Sequence, residues 1–229
     1  MTHKGEHALA EEARRKMREA EALRANLRKR KAQLRGRQAA EDEAGIAAVL
    51  DFWFGPERGA WRDAWFGKDP AFDAACREIL GPWAARARAG ELDRWLDTED
   101  GSLALIVLLD QAPRNLHRGT QAAFDCDPAA LRAARATIAK GFDRAMPGVA
   151  RVFVYLPFEH AEDMAAQDEA CALMRALPEA EWKARVVDYA DKHRDVIARF
   201  GRFPHRNASL GRADTEDEKI YLSQPGAGF

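Results

Sequence analysis

From Ile46 onward, prolines and glycines cut the chain into segments of helix length, and no two neighbouring segments read as strands able to pair. This punctuation constrains the fold more than any motif does. Gly55-Pro56 stops the run IAAVLDFWF, a short buried helix over 46–54. The next stretch, GPERGAWRDAWFGKDP, reads as a loop or broken helix, with Trp61 and Trp65 on one face if helical. Pro70 and Pro82 stand where a first helical turn accepts proline, opening helices through Ile79 and Ala89. Ser102 is a candidate N-cap for LALIVLLDQ, which should end near Ala112 because the residue before Pro113 is pushed out of the α region. Asp127-Pro128 is a stronger start, an N-cap followed by proline at the first helical position, and Gly141 weakens the end of the helix it opens.

VFVYLPFEH is rich in β-branched and aromatic residues, yet a lone strand would have no ladder partner, so the run is read as a helix kinked at Pro157. Long helices are expected from Glu159 to Arg175 and from Glu179 to Phe200. Thr215 with Glu218 forms the T-x-x-E capping box of a last short helix ending near Gln224. The expected class is all-α, built from antiparallel helix pairs. No 34-residue tetratricopeptide repeat recurs with its expected residues.

Residues 1–44 differ in kind and are read as an extension preceding a domain over 45–229. Residues 8–44 contain no proline and one glycine, and consist mostly of strong helix formers. Met17, Ala20, Leu23, Leu27 and Leu34 make a stripe too thin to build a core. Residues 14–37 hold eleven Lys/Arg against Glu19 and Glu21, a local charge of +9, whereas the whole chain is at -1, so the rest must sum to -10. A solvated basic arm, or one in loose contact with its own domain, explains this segment, ahead of an RNA contact and then of a partner helix or coiled coil. RNA phosphates are a weaker match, since no aromatic residue is present for base stacking.

The longest strongly apolar run, Leu103 to Leu109, is far short of the roughly 20 residues needed to cross a bilayer, so no membrane span is expected. Charge at the N-terminus replaces the apolar core of a secretory signal. Cys76, Cys126 and Cys171 are odd in number and widely spaced, which argues against a disulfide framework and fits the reducing cytoplasm.

Four clusters carry residues suited to chemistry. In LDQAPRN, Asp110 and Arg114 are one turn apart, while Gln111 and Asn115 add amide donors; a capped helix end with one ion pair fits equally. In PFEHAEDM, Glu159 and Asp163 are one turn apart and His160 precedes Asp163 by three, so that carboxylate can orient the imidazole as a general base. Acidic residues at a helix start also serve its dipole, which accounts for Glu159, Glu162 and Asp163 but not for His160. His193 shares an apolar helix face with Val186, Tyr189, Val196, Ile197 and Phe200, where a satisfied core histidine is the plainer reading. In RFGRFPHRN, Gly201 ends a helix, Pro204 stiffens the residues after it, and Arg199, Arg202, His205 and Arg206 alternate with Phe200 and Phe203. Arginine forks beside phenylalanines suit an anionic group; arginines answering the negative domain surface are the alternative.

His117, His160, His193 and His205 could converge with Asp110 or Asp163, but no H-E-x-x-H spacing occurs and no metal ligand is assigned. No G-x-S-x-G elbow, phosphate-binding glycine loop or dinucleotide fingerprint occurs, and the cofactor is unknown.

Together, VLDFWFG, LALIVLLDQAPRNLHRGTQAAFDCD, YLPFEHAEDMAAQ and HRDVIARFGRFPHRNASLGR resemble a bacterial family named domain of unknown function 924, from about Ala47 to the C-terminus. The resemblance implies a tetratricopeptide-like array of antiparallel helices with a concave face. It also implies motif positions at Asp110, Gln111, Arg114, Asn115, His160, Glu162, Asp163, His193, Arg202, His205, Arg206 and Asn207. Ala112 departs from the family, which usually has phenylalanine there. The family name carries no activity.

The combined expectation is a cytoplasmic helical protein with a polar groove for a small anionic molecule. His160, Asp163 and Asp110 would act in acid/base chemistry, and Gln111, Arg114, Asn115, His193, Arg202, His205, Arg206 and Asn207 would bind the ligand. An adaptor gripping an acidic peptide or C-terminal carboxylate through the same arginines is the alternative.

Overall fold

The computed structural model describes residues 3–56 and 58–228, with side chains described from Leu23 onward and, before it, at Glu12, Lys16, Met17 and Glu21. They divide into two compact units, one reaching Gly45 and the other beginning at Ile46. In the first, helix α1 (His3–Phe54) leaves Met17, Leu23, Leu27 and Leu34 at 71, 61, 56 and 66 % exposure, so the narrow stripe buries nothing. The expected stripe residue Ala20 and the basic residues Arg14, Arg15 and Arg18 lie outside the described side chains.

The second unit contains the end of α1, then α2 (Pro70–Ile79), α3 (Gly81–Arg88), α4 (Glu99–Ile106), α5 (Ala112–Leu116), α6 (Asp127–Ala139), α7 (Gly148–Glu159), α8 (Met164–Arg175), α9 (Lys183–Phe200) and α10 (Glu216–Leu222). No strand occurs among the described residues, and the class is all-α. The local signals explain most boundaries. Asp69 caps α2 by accepting from the Ala71 N–H, Gly201 ends α9 with φ 69°, and both halves of the Thr215–Glu218 capping box are formed. Arg62 donates to the carbonyls of Phe52 and Trp53 at 2.8 and 2.7 Å, satisfying the last turn of α1.

Several expectations fail: the run over 46–54 is the end of α1 and no separate short helix, and α9 begins at Lys183 in place of Glu179. Thr98, not Ser102, caps α4, and the buried Ser102 hydroxyl donates to the Leu96 carbonyl. The helix does not end at Ala112; it runs into α5 through a π turn over Val107–Gln111. There the Ala112 N–H donates to the Val107 carbonyl five residues back. The widened turn makes room for Pro113, which lacks an N–H and would otherwise crowd the carbonyl four residues before it. Asp127 is the first residue of α6, with no side-chain cap bond at that start. Finally, the expected helix from Glu159 to Arg175 is broken: α7 ends at Glu159 and Asp163 starts α8.

The core is centred on α4 and its π turn, where Leu103 to Leu109 are all buried, with α6 and α7 packed against them. Trp53 meets Phe153 edge to face at 5.7 Å, fixing the end of α1 on α7. No described helix is long and apolar enough to cross a membrane.

Candidate functional site

The π turn sets the site. It carries Asp110 and Gln111 into the core, at 0 and 5 % exposure. A carboxylate buried so completely requires donors, and Asp110 has them. His160 Nδ1 lies 2.7 Å from its Oδ1, Gln111 donates to its Oδ2 at 2.6 Å, and Arg114 lies 3.4 Å from Oδ1 while also donating to the Asp110 backbone carbonyl. Burial alone would raise its pKa, but Arg114, His160 and Gln111 outweigh it and hold the carboxyl well below the usual carboxylate range.

His160 reaches Asp110 because the chain turns sharply after α7. Gln167 holds that turn, donating to the carbonyls of Glu159 and Ala161 at 2.6 and 2.8 Å. His160 is therefore oriented by Asp110, fifty residues away, in place of the expected Asp163. Asp163 accepts from the Ala166 N–H and caps α8. Burial and the nearby Arg114 lower the His160 pKa, so the ring is a neutral imidazole donating from Nδ1 to an ionised Asp110.

Behind this pair lies a second layer. Asp127 Oδ2 accepts from both Arg114, at 3.1 Å, and Arg206, at 3.0 Å. Arg206 is 6 % exposed and lies between two rings, 4.5 Å from the centre of Phe203 and 4.7 Å from that of Phe124. Burial first, and Arg114 second, push its pKa down to about 10, so it remains a cation at neutral pH.

On the other side of His160, its ring centre is 6.1 Å from that of His193. His193 Nδ1 lies 2.8 Å from the Tyr189 carbonyl and 3.1 Å from Glu159 Oε1. Burial, followed by His160, lowers His193 well below the ordinary imidazole value. Burial pushes Glu159 up to about 8, and Asp110 adds to the rise. One donor atom from each of Glu159, His160 and His193 lies within 4.8 Å of the other two. These three also line a pocket of about 210 Å³, with Trp61, Phe66, Val152 and Leu156 as its apolar wall and Arg185 as its lining cation. Such a space takes a small molecule with one polar end.

The remaining sequence candidates hold the frame. Arg202 grips Glu218 with two bonds, at 2.6 and 2.8 Å, and Asn207 donates to Asp214 at 2.7 Å. Glu162 accepts from the Phe203 N–H at 2.7 Å and from both ends of the Arg212 fork, tying the turn after α7 to the segment after α9. Asn115 donates to the Gln111 carbonyl and accepts from Arg118. His205 stacks obliquely on Phe203 at 5.5 Å, and burial with Arg206 pushes it down to about 4. His117 is exposed at the end of α5.

Asp127 and Glu159 are the site residues that sequence reasoning placed in other roles, as a cap and as a dipole partner. Each had an adequate local explanation. Only the positions of Arg114, Arg206 and His193 give them another.

The family described as bacterial protein of unknown function (DUF924) matches residues 49–226. A solved structure of a protein of unknown function from Agrobacterium tumefaciens is similar at 43 % identity with a TM-score of 0.70, covering 79 % of this chain and 98 % of that one. No curated protein matches the chain.

Proposed function

The chain belongs to the DUF924 family of bacterial proteins, and we propose that its second unit binds a small organic anion in the pocket lined by Glu159, His160 and His193 and acts on it by proton transfer. One observation carries this reading: a fully buried, ionised Asp110 fixes His160 through Nδ1, and the same imidazole lines a pocket. Burying a carboxylate is unfavourable, and orienting a histidine at a cavity gives that burial a use. The apolar wall supports an organic body for the ligand. Glu159, with its pKa near 8, can hold or release a proton close to neutrality.

The residue available to meet an anion at the rim is Arg185. Its ion pair with Asp63 at 3.1 Å is largely exposed, at 46 and 83 %, so exchanging Asp63 for a ligand costs about 0–1 kcal/mol. Arg202 and Arg206, expected as the clamp, are engaged by Glu218 and Asp127. The adaptor reading relied on those two forks and is weakened with them. Cys76, Cys126 and Cys171 are buried free thiols, with Cys76 and Cys171 pushed up to about 11 by burial, which supports a cytoplasmic location.

Thermal-shift measurements against a panel of small carboxylates and phosphate esters test the reading. A ligand at 100 times its Kd stabilises by about 2.7 kcal/mol, a rise of roughly 5 °C or more for a unit of this size. The rise should shrink in Trp61→Ala and in Arg185→Ala, whose side chains line the pocket outside the core network. A panel without a responder, or a response unchanged in both variants, overturns it.

A further inference from the structure

The pocket supplies more coordinating groups than proton transfer requires, beside Arg185 as its lining cation. We infer that Glu159, His160 and His193 form a binding site for one divalent first-row metal ion, which acts as the cationic centre receiving the anion. The inference rests on the proposed function for the identity of the pocket, and it assigns the ring nitrogens of His160 and His193 as ligands.

Three independent features of the geometry support it. First, the donor set is two imidazoles and one carboxylate, drawn from the end of α7 and from α9, with one atom of each within 4.8 Å of the others. Ligands about 2.1 Å from a common ion stand roughly 3 to 4 Å apart, so closing on a metal takes movements of under about 1 Å. Two histidines with one carboxylate suit Zn²⁺ or Fe²⁺ and leave positions open for water or a ligand.

Second, the outer shell is already built. His160 is held through Nδ1 by Asp110 at 2.7 Å, and His193 Nδ1 stands between the Tyr189 carbonyl at 2.8 Å and Glu159 Oε1 at 3.1 Å. For His160, a carboxylate on one ring nitrogen is how protein groups orient a metal-binding imidazole. Asp110 is itself held by Gln111 and Arg114, so the support extends one layer further.

Third, Glu159 and His160 are the last residue and the C-cap of α7, a twelve-residue helix. The negative end of its dipole favours a cation there. A metal also explains how an anion could be held when Arg202, Arg206 and Arg114 are engaged by carboxylates of the protein.

The test uses the full chain, stripped with chelator and titrated with Zn²⁺ and, for its spectrum, Co²⁺. The expected result is one ion per chain and a Co²⁺ absorption typical of nitrogen and oxygen ligands. Glu159→Gln, which keeps the shape of the buried side chain, should weaken Zn²⁺ binding at least 100-fold. Asp110→Asn should weaken it about 10- to 100-fold through loss of His160 orientation. Should either variant fail to fold, long-range ¹H–¹⁵N spectra of the unaltered protein decide: Zn²⁺ should shift a ring nitrogen in two of its six histidines, one of which keeps Nδ1 protonated. Absence of stoichiometric binding, affinity unchanged in Glu159→Gln, or shifts confined to other histidines would overturn the site. Anion binding that persists in metal-stripped protein removes the metal and leaves the proposed function standing. A metal-loaded protein that binds no anion does the reverse.

Discussion

Two arginine–carboxylate clusters in the second unit use the same chemistry to different ends. At Arg202 and Glu218 the pairing is nearly local: a two-bond fork closes onto a capping box, and Asn207 adds a longer contact. Around Asp110 and Asp127 the partners come from the π turn and from α5, α6, the turn after α7 and the segment after α9, and they end at a histidine in a pocket wall. The first cluster finishes a helix. The second uses a buried carboxylate to position an imidazole. Residue type does not separate them; what separates them is the reach of the network, which runs from residue 202 to 218 in the first and from residue 110 to 206 in the second.

The largest test of this contrast is Asp110→Ala. It leaves His160, Gln111 and Arg114 facing an empty space where their shared acceptor stood, and breaking a buried pair in this way costs about 3–5 kcal/mol. Chemical denaturation monitored by tryptophan fluorescence should show a loss of unfolding free energy of that size. A loss below about 1 kcal/mol would mean that the two clusters are alike.

Thr215→Ala is the matching change in the local cluster. It removes the cap bond to the Glu218 N–H and should cost about 1 kcal/mol in the same assay, a typical loss for one N-cap. A loss as large as that of Asp110→Ala would show that the C-terminal segment is part of the core network.

The smallest effect separates the clusters by pH. The hydrogen bond from Arg202 comes first among the groups that depress Glu218 to about 2, from an ordinary value of 4.5. A depressed carboxyl stabilises the folded state fully above its unfolded value. That contribution is lost as pH falls from about 4.5 through 2. Arg202→Ala should therefore flatten the stability curve across that window. Asp110, also depressed, keeps its own contribution in both proteins and cancels in the difference. Parallel curves for wild type and variant would refute the assignment.

Much of the fold is legible in the sequence because helix boundaries are short-range events. Pro70, Gly201 and the Thr215–Glu218 box act within one turn of themselves, and all three form as read. VFVYLPFEH, ambiguous by pattern, is helical because its neighbours are. The failures share one cause. Pro113 ordinarily ends a helix just before itself, but a π turn relieves the crowding and lets the helix continue. Spacing along the chain pairs His160 with Asp163, whereas Asp163 is committed to capping α8.

The candidate site is legible as a set of residue types and illegible as a set of partners. The chain alone determined that Asp110, Arg114, His160, His193 and Arg206 lie on or beside helices in an all-α protein, since helical period and capping depend on neighbours a few residues away. The tertiary structure decided that Asp110 meets His160, that Asp127 joins Arg114 to Arg206, and that Glu159 faces His193. Those choices depend on which helix faces pack together, and burial then forces each charged group to take whichever opposite partner the packing brings within reach.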